Sequence, residues 1–328
     1  MAASAVHFKS PPVLLLIYNR PSMTASVLEA VRAVSPHRLY IAADGPRADR
    51  RYDEEHCMRA RQVATHVDWP CDVRTLFRSD NLGCRVAVSR AVTWFFTHEA
   101  DGIILEDDCV PDPTFFAYCG DLLTRYRDDA RVMAISGNGL HASSLDRPHS
   151  YLFSRYNHVW GWASWRRAWA SYDDQMLEWP KLRSAEWLEE IGDGHRDFAR
   201  YWTAAFDAAY AGTVDSWAYR WTYSCWKQQG LTALPSRNVV KNIGFGSEAT
   251  HTRDHRSRLA RAPLEALDLP LVHPPGVQRD AAADRWIDLH VFGTHQPLYR
   301  RVLGRPARAM RRRVDRLMAS QRLHGGPS

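Results

Sequence analysis

Apolar and polar positions fall in alternating blocks along the first 140 residues, and the blocks change period. Residues 13–18 are an unbroken apolar run ended by Arg20-Pro21, the pattern of a strand buried on both faces. Behind it Val27, Leu28, Val31 and Val34 recur at helical spacing, and residues 39–43 form a second strand stopped by Asp44-Gly45-Pro46. The unit then repeats. A helix opens with Asp53, Glu54 and Glu55, whose charges suit the positive N-terminal end of the helix dipole, and residues 73–77 predict a third strand. Asn81-Leu82-Gly83 turns into a helix with Val88, Ala91, Val92 and Phe95 on its inner face, and residues 103–105 read as the next strand. Pro111 and Pro113 introduce a helix with Phe116, Cys119, Leu122, Leu123 and Tyr126 on one stripe, and residues 132–136 make a further strand. Alternating strand and helix predict an α/β fold: a Rossmann-like, mostly parallel sheet flanked by helices, with ligands at the carboxyl ends of its strands.

Beyond about residue 140 the pattern loses this regularity. Ten of the 13 Trp lie between residues 160 and 226, a density that fits either core filling or stacking on sugar faces. The expected division is therefore 1–140 as a ligand-binding half, 141–298 as an aromatic-rich acceptor half with a C-terminal extension, and 299–328 as a tail. Residues 263–276, with four Pro, read as an extended connection.

Charge separates the tail from the body. The stretch 298–328 holds nine Arg against one Asp, a surplus larger than the +6 of the whole chain, so the remaining residues are slightly acidic and nucleic acid is not an expected partner. Met310, Val314, Leu317 and Met318 share a helical stripe among those Arg, which suits either an anionic membrane surface or docking on the protein itself. The six Cys show no CxxC pair and no zinc spacing with His, so reduced thiols are expected. With no run of about 20 apolar residues and no signal-peptide pattern, the expected location is cytoplasmic, with peripheral attachment to the inner face of the cell membrane as an option through the tail.

The chemistry centres on Glu106-Asp107-Asp108. Three consecutive acids are often a solvated run, but these follow Ile103-Ile104-Leu105, which is too apolar to be exposed, and so stand at the mouth of a buried strand. Carboxylates there call for a hard divalent cation, Mn²⁺ or Mg²⁺, which takes one or two carboxylates together with phosphate oxygens. A diphosphate held by a metal can depart as a leaving group, as nucleotide-sugar chemistry requires. Arg20 at a strand end suits phosphate or a surface ion pair; Asp44 suits a base N–H or a turn cap; Asn81, Gly83 and Arg85 at a helix start suit phosphate or a plain turn.

In motif pattern the chain resembles a GT-A-fold glycosyltransferase, close to the N-acetylglucosaminyltransferase I class. The matching stretches are Tyr18-Asn19-Arg20, Ala43-Asp44-Gly45 and Leu105-Glu106-Asp107-Asp108 continuing to Phe116. They are followed in order by residues 136–139, Gly161-Trp162, residues 214–217, and residues 235–237 through Phe245-Gly246 to Thr250-His251. The chain departs from that class at Gly83-Cys84, where bulkier residues line the base pocket.

The resemblance implies that Asp108 is the protein ligand of Mn²⁺, that Glu106 and Asp107 lie near ribose and sugar, and that Arg20 and Asp44 hold the nucleotide. It also implies that His251 lies near the diphosphate in a loop, residues 242–252, that closes over the donor, and that Asp215 is the general base for the acceptor hydroxyl. Asp215 also has the bland reading of an N-cap for the helical pattern Trp217, Trp221, Cys225. Asp173, Asp174 and Asp207 are further candidates for the base. The expectation is a metal-dependent inverting transferase. It would move a sugar from a UDP-sugar, UDP-N-acetylglucosamine first, to a hydroxyl of a growing polysaccharide or other glycan, lipid-linked acceptors included. The alternatives are a sugar-1-phosphate nucleotidyltransferase, whose Gly-rich loop with Lys is missing after the first strand, and a non-catalytic carbohydrate-binding protein of the same fold.

Overall fold

The computed structural model describes residues 10–140, 147–184, 186–245 and 262–294. Strands β1 (Val13–Ile17), β2 (Arg38–Ala43), β3 (Asp72–Phe77) and β4 (Asp101–Glu106) alternate with helices α1 (Pro21–Arg32), α2 (Asp53–Thr65) and α3 (Gly83–His98). All five β1 side chains are buried, and burying each Val, Leu or Ile stabilises the fold by about 1.5–3 kcal/mol. Helix α1 begins at Pro21, whose missing N–H costs nothing in the first turn, and it turns Val27, Leu28 and Val31 to the core. The short strand β5 (Cys109–Pro111) leads to helix α4 (Pro113–Arg125), which is capped by Asp112 accepting from the Thr114 N–H. Then come β6 (Val132–Ser136), β7 (Tyr151–Ser154), β8 (Trp162–Trp165) and five helices, α5 (Arg166–Trp169), α6 (Trp179–Ser184), α7 (Trp187–Ile191), α8 (Arg196–Tyr210) and α9 (Ala218–Lys227). Strands β9 (Leu231–Pro235) and β10 (Val240–Asn242), helix α10 (Ala281–Ile287) and a π-helical turn (Asp288–Phe292) complete the described elements.

Eight strands form one sheet in the order β3-β2-β1-β4-β8-β6-β9-β7, so the sheet runs unbroken across residue 140. The first four are parallel, as the period predicts; β8 is antiparallel to β4 and β6, and β7 to β9. The chain leaves β1 for β2 and β3 on one side and returns to β4 on the other, so a crevice opens between the carboxyl ends of β1 and β4. Register places Leu16 beside Glu106 there. A second ribbon pairs β5 with β10 antiparallel and carries Asn242 and Gly244 to the same end of the sheet.

The aromatic half is mainly core. Trp162, Trp165, Trp169, Trp179, Trp202, Trp217, Trp221 and Trp226 are all at most 5% exposed, so these rings cannot stack on a sugar. They pack on one another, Trp162 against Trp217 at 5.5 Å and Trp202 against Trp226 at 4.7 Å. Among the described residues no helix is long and apolar enough to cross a membrane. The basic tail lies outside the described residues.

Candidate functional site

A cleft of about 390 Å³ opens at the β1/β4 crevice. Its wall includes Arg20, Asp44, Asn81, Gly83, Glu106, Asp107, Asp108 and Asp215, so most of the residues singled out from the sequence meet in one cavity.

The acid triplet arises from a strand that stops abruptly. β4 is buried through Leu105 and ends at Glu106, after which Asp107 and Asp108, 2% and 9% exposed, turn back toward β1. Arg20, just before α1, lies between them, its guanidinium 2.7 Å from Asp107 and 3.0 Å from Asp108. The Tyr18 N–H adds a hydrogen bond to Asp107 at 3.2 Å. One guanidinium does not balance three carboxylates, and among the described residues no donor reaches that of Glu106. Burial, then Asp108 and Asp107, raise the Glu106 pKa above its ordinary value, with Arg20 pulling it back. Burial also pushes Asp107 up to about 7 against the opposing pull of Arg20.

Asp108 is held from the other side by the β5/β10 ribbon. The Ile243 N–H donates to its backbone carbonyl at 2.7 Å, and Asn242 donates to its carboxylate at 3.4 Å. A Cβ on Gly244 would sit 2.1 Å from Asp108 Oδ2, so only glycine lets the ribbon close this tightly on the carboxylate.

Helix α3 supplies a second anchor. Its first N–H groups have no partner within the helix, and two carboxylates from distant parts of the chain take them in turn. Asp44 accepts from Leu82 and Gly83, and Asp215 accepts from Cys84 at 2.8 Å and Arg85 at 3.1 Å. Gly83, at φ +78°, passes so near Asp215 that a Cβ would lie 2.7 Å from its Oδ2. The sequence expectation of phosphate at this helix start therefore needs correcting: protein carboxylates occupy it. Asp44 makes the turn cap, while burial raises its pKa against those N–H bonds. Asp215 does cap a helix, but not its own: α9 starts at Ala218 with no side-chain cap. Burial, and then the negative charges of Glu106, Asp215 and Asp44 around Cys84, push its thiol pKa up, so these groups share one neighbourhood.

Arg85 departs from expectation. It turns out of the cleft to pair with Asp174 at 2.7 Å and does not line the cavity. Asn81 stays on the wall but donates to Gly45 O at 2.8 Å and to the Tyr18 hydroxyl at 3.2 Å. The reserve acids are also engaged elsewhere, Asp207 with Arg183 and Trp179, Asp173 with the Leu177 N–H. His251 and the rest of the expected loop beyond residue 245 lie outside the described residues.

Sequence reasoning missed Arg47, Arg78 and Trp160 on the cleft wall, whereas Asn242, Gly244 and Phe245, the described start of the expected loop 242–252, do line it. Trp160 meets the edge of Phe245 at 5.5 Å, and is the Trp of its crowded stretch that reaches the cleft. Among the described residues no group of three or more His, Cys, Asp or Glu side chains forms a ready metal cage. A hard cation sharing one carboxylate with a ligand's own oxygens fits the all-carboxylate donor set; a zinc or other soft site does not.

No protein-family model and no curated sequence matches the chain. Among solved structures it is similar to HddC from Yersinia pseudotuberculosis, at 9% identity and TM-score 0.29 over 48% of this chain and 77% of that one. It is also similar to mouse xyloside xylosyltransferase 1 in its apo form, at 9% identity and TM-score 0.32 over 68% of this chain and 84% of that one. Likenesses this faint say nothing about the chemistry of the cleft.

Proposed function

We propose that this chain is a metal-dependent inverting glycosyltransferase of GT-A type. It would take a nucleotide diphosphate sugar, UDP-N-acetylglucosamine first by motif resemblance, and pass the sugar to a glycan hydroxyl. One observation carries the reading: three carboxylates share a single guanidinium at the end of a buried strand, inside a cleft where strand order reverses. Surplus negative charge facing a cavity is stabilised by a cation, and an anionic ligand follows the cation in.

Asp108 would hold Mn²⁺ or Mg²⁺. Once bound, the ion supplies Lewis-acid stabilisation of the departing diphosphate. Arg20, already placed between Asp107 and Asp108, would turn its fork to the same phosphate oxygens. Glu106 and Asp107 would orient sugar and ribose hydroxyls, and Trp160 with Phe245 would give the sugar an apolar face. Asp215 would accept the acceptor's proton: two backbone N–H groups use part of its capacity, and a carboxylate has about four acceptor sites. His251 on the donor side, a lipid-linked acceptor and an anionic membrane partner for the tail belong to the same proposal on sequence grounds.

The test is release of UDP from UDP-N-acetylglucosamine by the purified protein. Release should require Mn²⁺, and Asp108→Asn should lower it ~100-fold or more, in keeping with the several kcal/mol a metal contributes. Release indifferent to Mn²⁺ and to Asp108 would overturn the reading.

A further inference from the structure

We infer that Arg78 reads the base end of the bound nucleotide by donating to a ring carbonyl, which selects uracil or guanine over cytosine or adenine. The inference rests on the reading proposed above and concerns a residue that reading does not use.

Three Arg line the cleft, and two are already spoken for. Arg20 is paired with Asp107 and Asp108; Arg47 forks onto Asp53 and stacks over Tyr18. Arg78 also lines the cavity, yet among the described residues its guanidinium makes no hydrogen bond or ion pair. Only its backbone is engaged, the N–H donating to Ala43 and the carbonyl accepting from Arg61. Burial lowers its pKa, Asp44 acts the opposite way, and the like charge of Arg90 lowers it further. A guanidinium remains charged through such shifts, so a donor-only group faces the cavity without a partner among the described residues.

Position says which part of a ligand it would meet. Arg78 follows the last residue of β3, and β3 is separated from β4 by β2 and β1. Three strand spacings of roughly 4.8 Å put the ends of β3 and β4 about 14 Å apart. A nucleotide with its diphosphate at Asp108 and Arg20 therefore brings its base, not its phosphates, toward Arg78. The wall between them suits a flat ring: Cys84, Ala87, Val88 and Ala91 form one stripe on α3, facing Ala42 at the end of β2. Asp44 beside Arg78 offsets its charge, which favours a neutral carbonyl over a phosphate.

The discriminating edge is the exocyclic group far from the ribose. Uracil and guanine carry an oxygen there and can accept from Arg78; cytosine and adenine carry an amino group, which would leave both donors unpaired.

Titration calorimetry with UDP, GDP, CDP and ADP in the presence of Mn²⁺ tests this on the full chain. The wild type should prefer UDP or GDP, the tighter of the two naming the base. Arg78→Ala should lose ~10-fold or more for that nucleotide and little for CDP and ADP, closing the gap. Arg78→Lys, which keeps a donor, should recover part of it. Because the guanidinium bonds to nothing in the described fold, the thermal midpoint should stay unchanged. If the wild type binds nucleotides but Arg78→Ala keeps the same affinities and order, or loses equally for all four, this inference falls and the transferase reading stands. If the wild type binds none of the four, both fall.

Discussion

Two clusters in the molecule set Arg among several carboxylates, and the contrast between them separates a site from a fastening. At the cleft, Arg20 is the one cation paired with Asp107 and Asp108 among the described residues, and Glu106 has no donor there. Behind β7, Arg155 and Arg279 serve Asp193, Asp284 and Asp288, and hydroxyls add donors: Ser154 donates to Asp284, and Tyr156 and Thr294 to Asp288. Arg155 also donates to the Ile191 carbonyl and lies over the Phe198 ring. That second cluster ties α7, α8 and the C-terminal α10 segment to the sheet, and none of its residues lines the cleft. The lesson is one of balance: a charge network supplied with its own counter-charges and hydroxyls holds structure together, and one left in deficit beside a cavity is built for something that arrives from outside.

Removing the central cation from the balanced cluster should do the most damage. Arg155→Ala leaves three carboxylates with only Arg279 to serve them, two of them deeply buried, and should cost about 3–5 kcal/mol in urea unfolding, the range for breaking a buried ion pair on one side. A loss under about 1 kcal/mol would mean the cluster is no fastening, and the comparison would fail on that side. On the cleft side, Asp215→Asn should lose ~100-fold in sugar transfer, the usual scale for a general base. Its single amide oxygen can still accept one of the two α3 N–H groups that the carboxylate holds, so donor binding by calorimetry should fall far less than turnover. If donor affinity falls as far as turnover does, Asp215 acts only by placing α3.

What the sequence made legible follows the range of the interactions involved. β1, β2, β4 and β6 were readable because buried parallel strands are continuous apolar runs, and the acid triplet because it follows such a run immediately. β8 was not: Trp-Ala-Ser-Trp has no period to show, and its place between β4 and β6 is decided by long-range pairing. Asp215 lies 130 residues beyond the helix start it caps, and no local signal links the two. Arg78 was hidden for the opposite reason. In an Arg-rich stretch nothing distinguishes it until Asp53, Asp107 and Asp108 are seen to occupy its neighbours' charges. Trp160 was lost in the same way among rings that fill the core.

The smallest expected effect tests how closely the buried cluster is balanced. Burial pushes Asp284 up to about 6, with Arg155, Ser154 and Arg279 pulling it down and Asp288 adding to the rise. Below that value the native state keeps a proton on Asp284, which reduces the negative charge set against Arg155 and Arg279. A carboxyl whose folded pKa lies above its unfolded value near 4 stabilises the fold most at low pH, and that contribution is lost as pH rises through 6. Between pH 4 and 6 the wild type should therefore lose about 1–2 kcal/mol relative to Asp284→Asn, whose amide keeps the oxygen that accepts from Ser154 and cannot ionise. Urea midpoints measured in parallel across that window give the difference directly. Parallel stability curves for the two proteins would show that Asp284 ionises as readily in the fold as in the unfolded chain, so that Arg155, Ser154 and Arg279 together offset its burial.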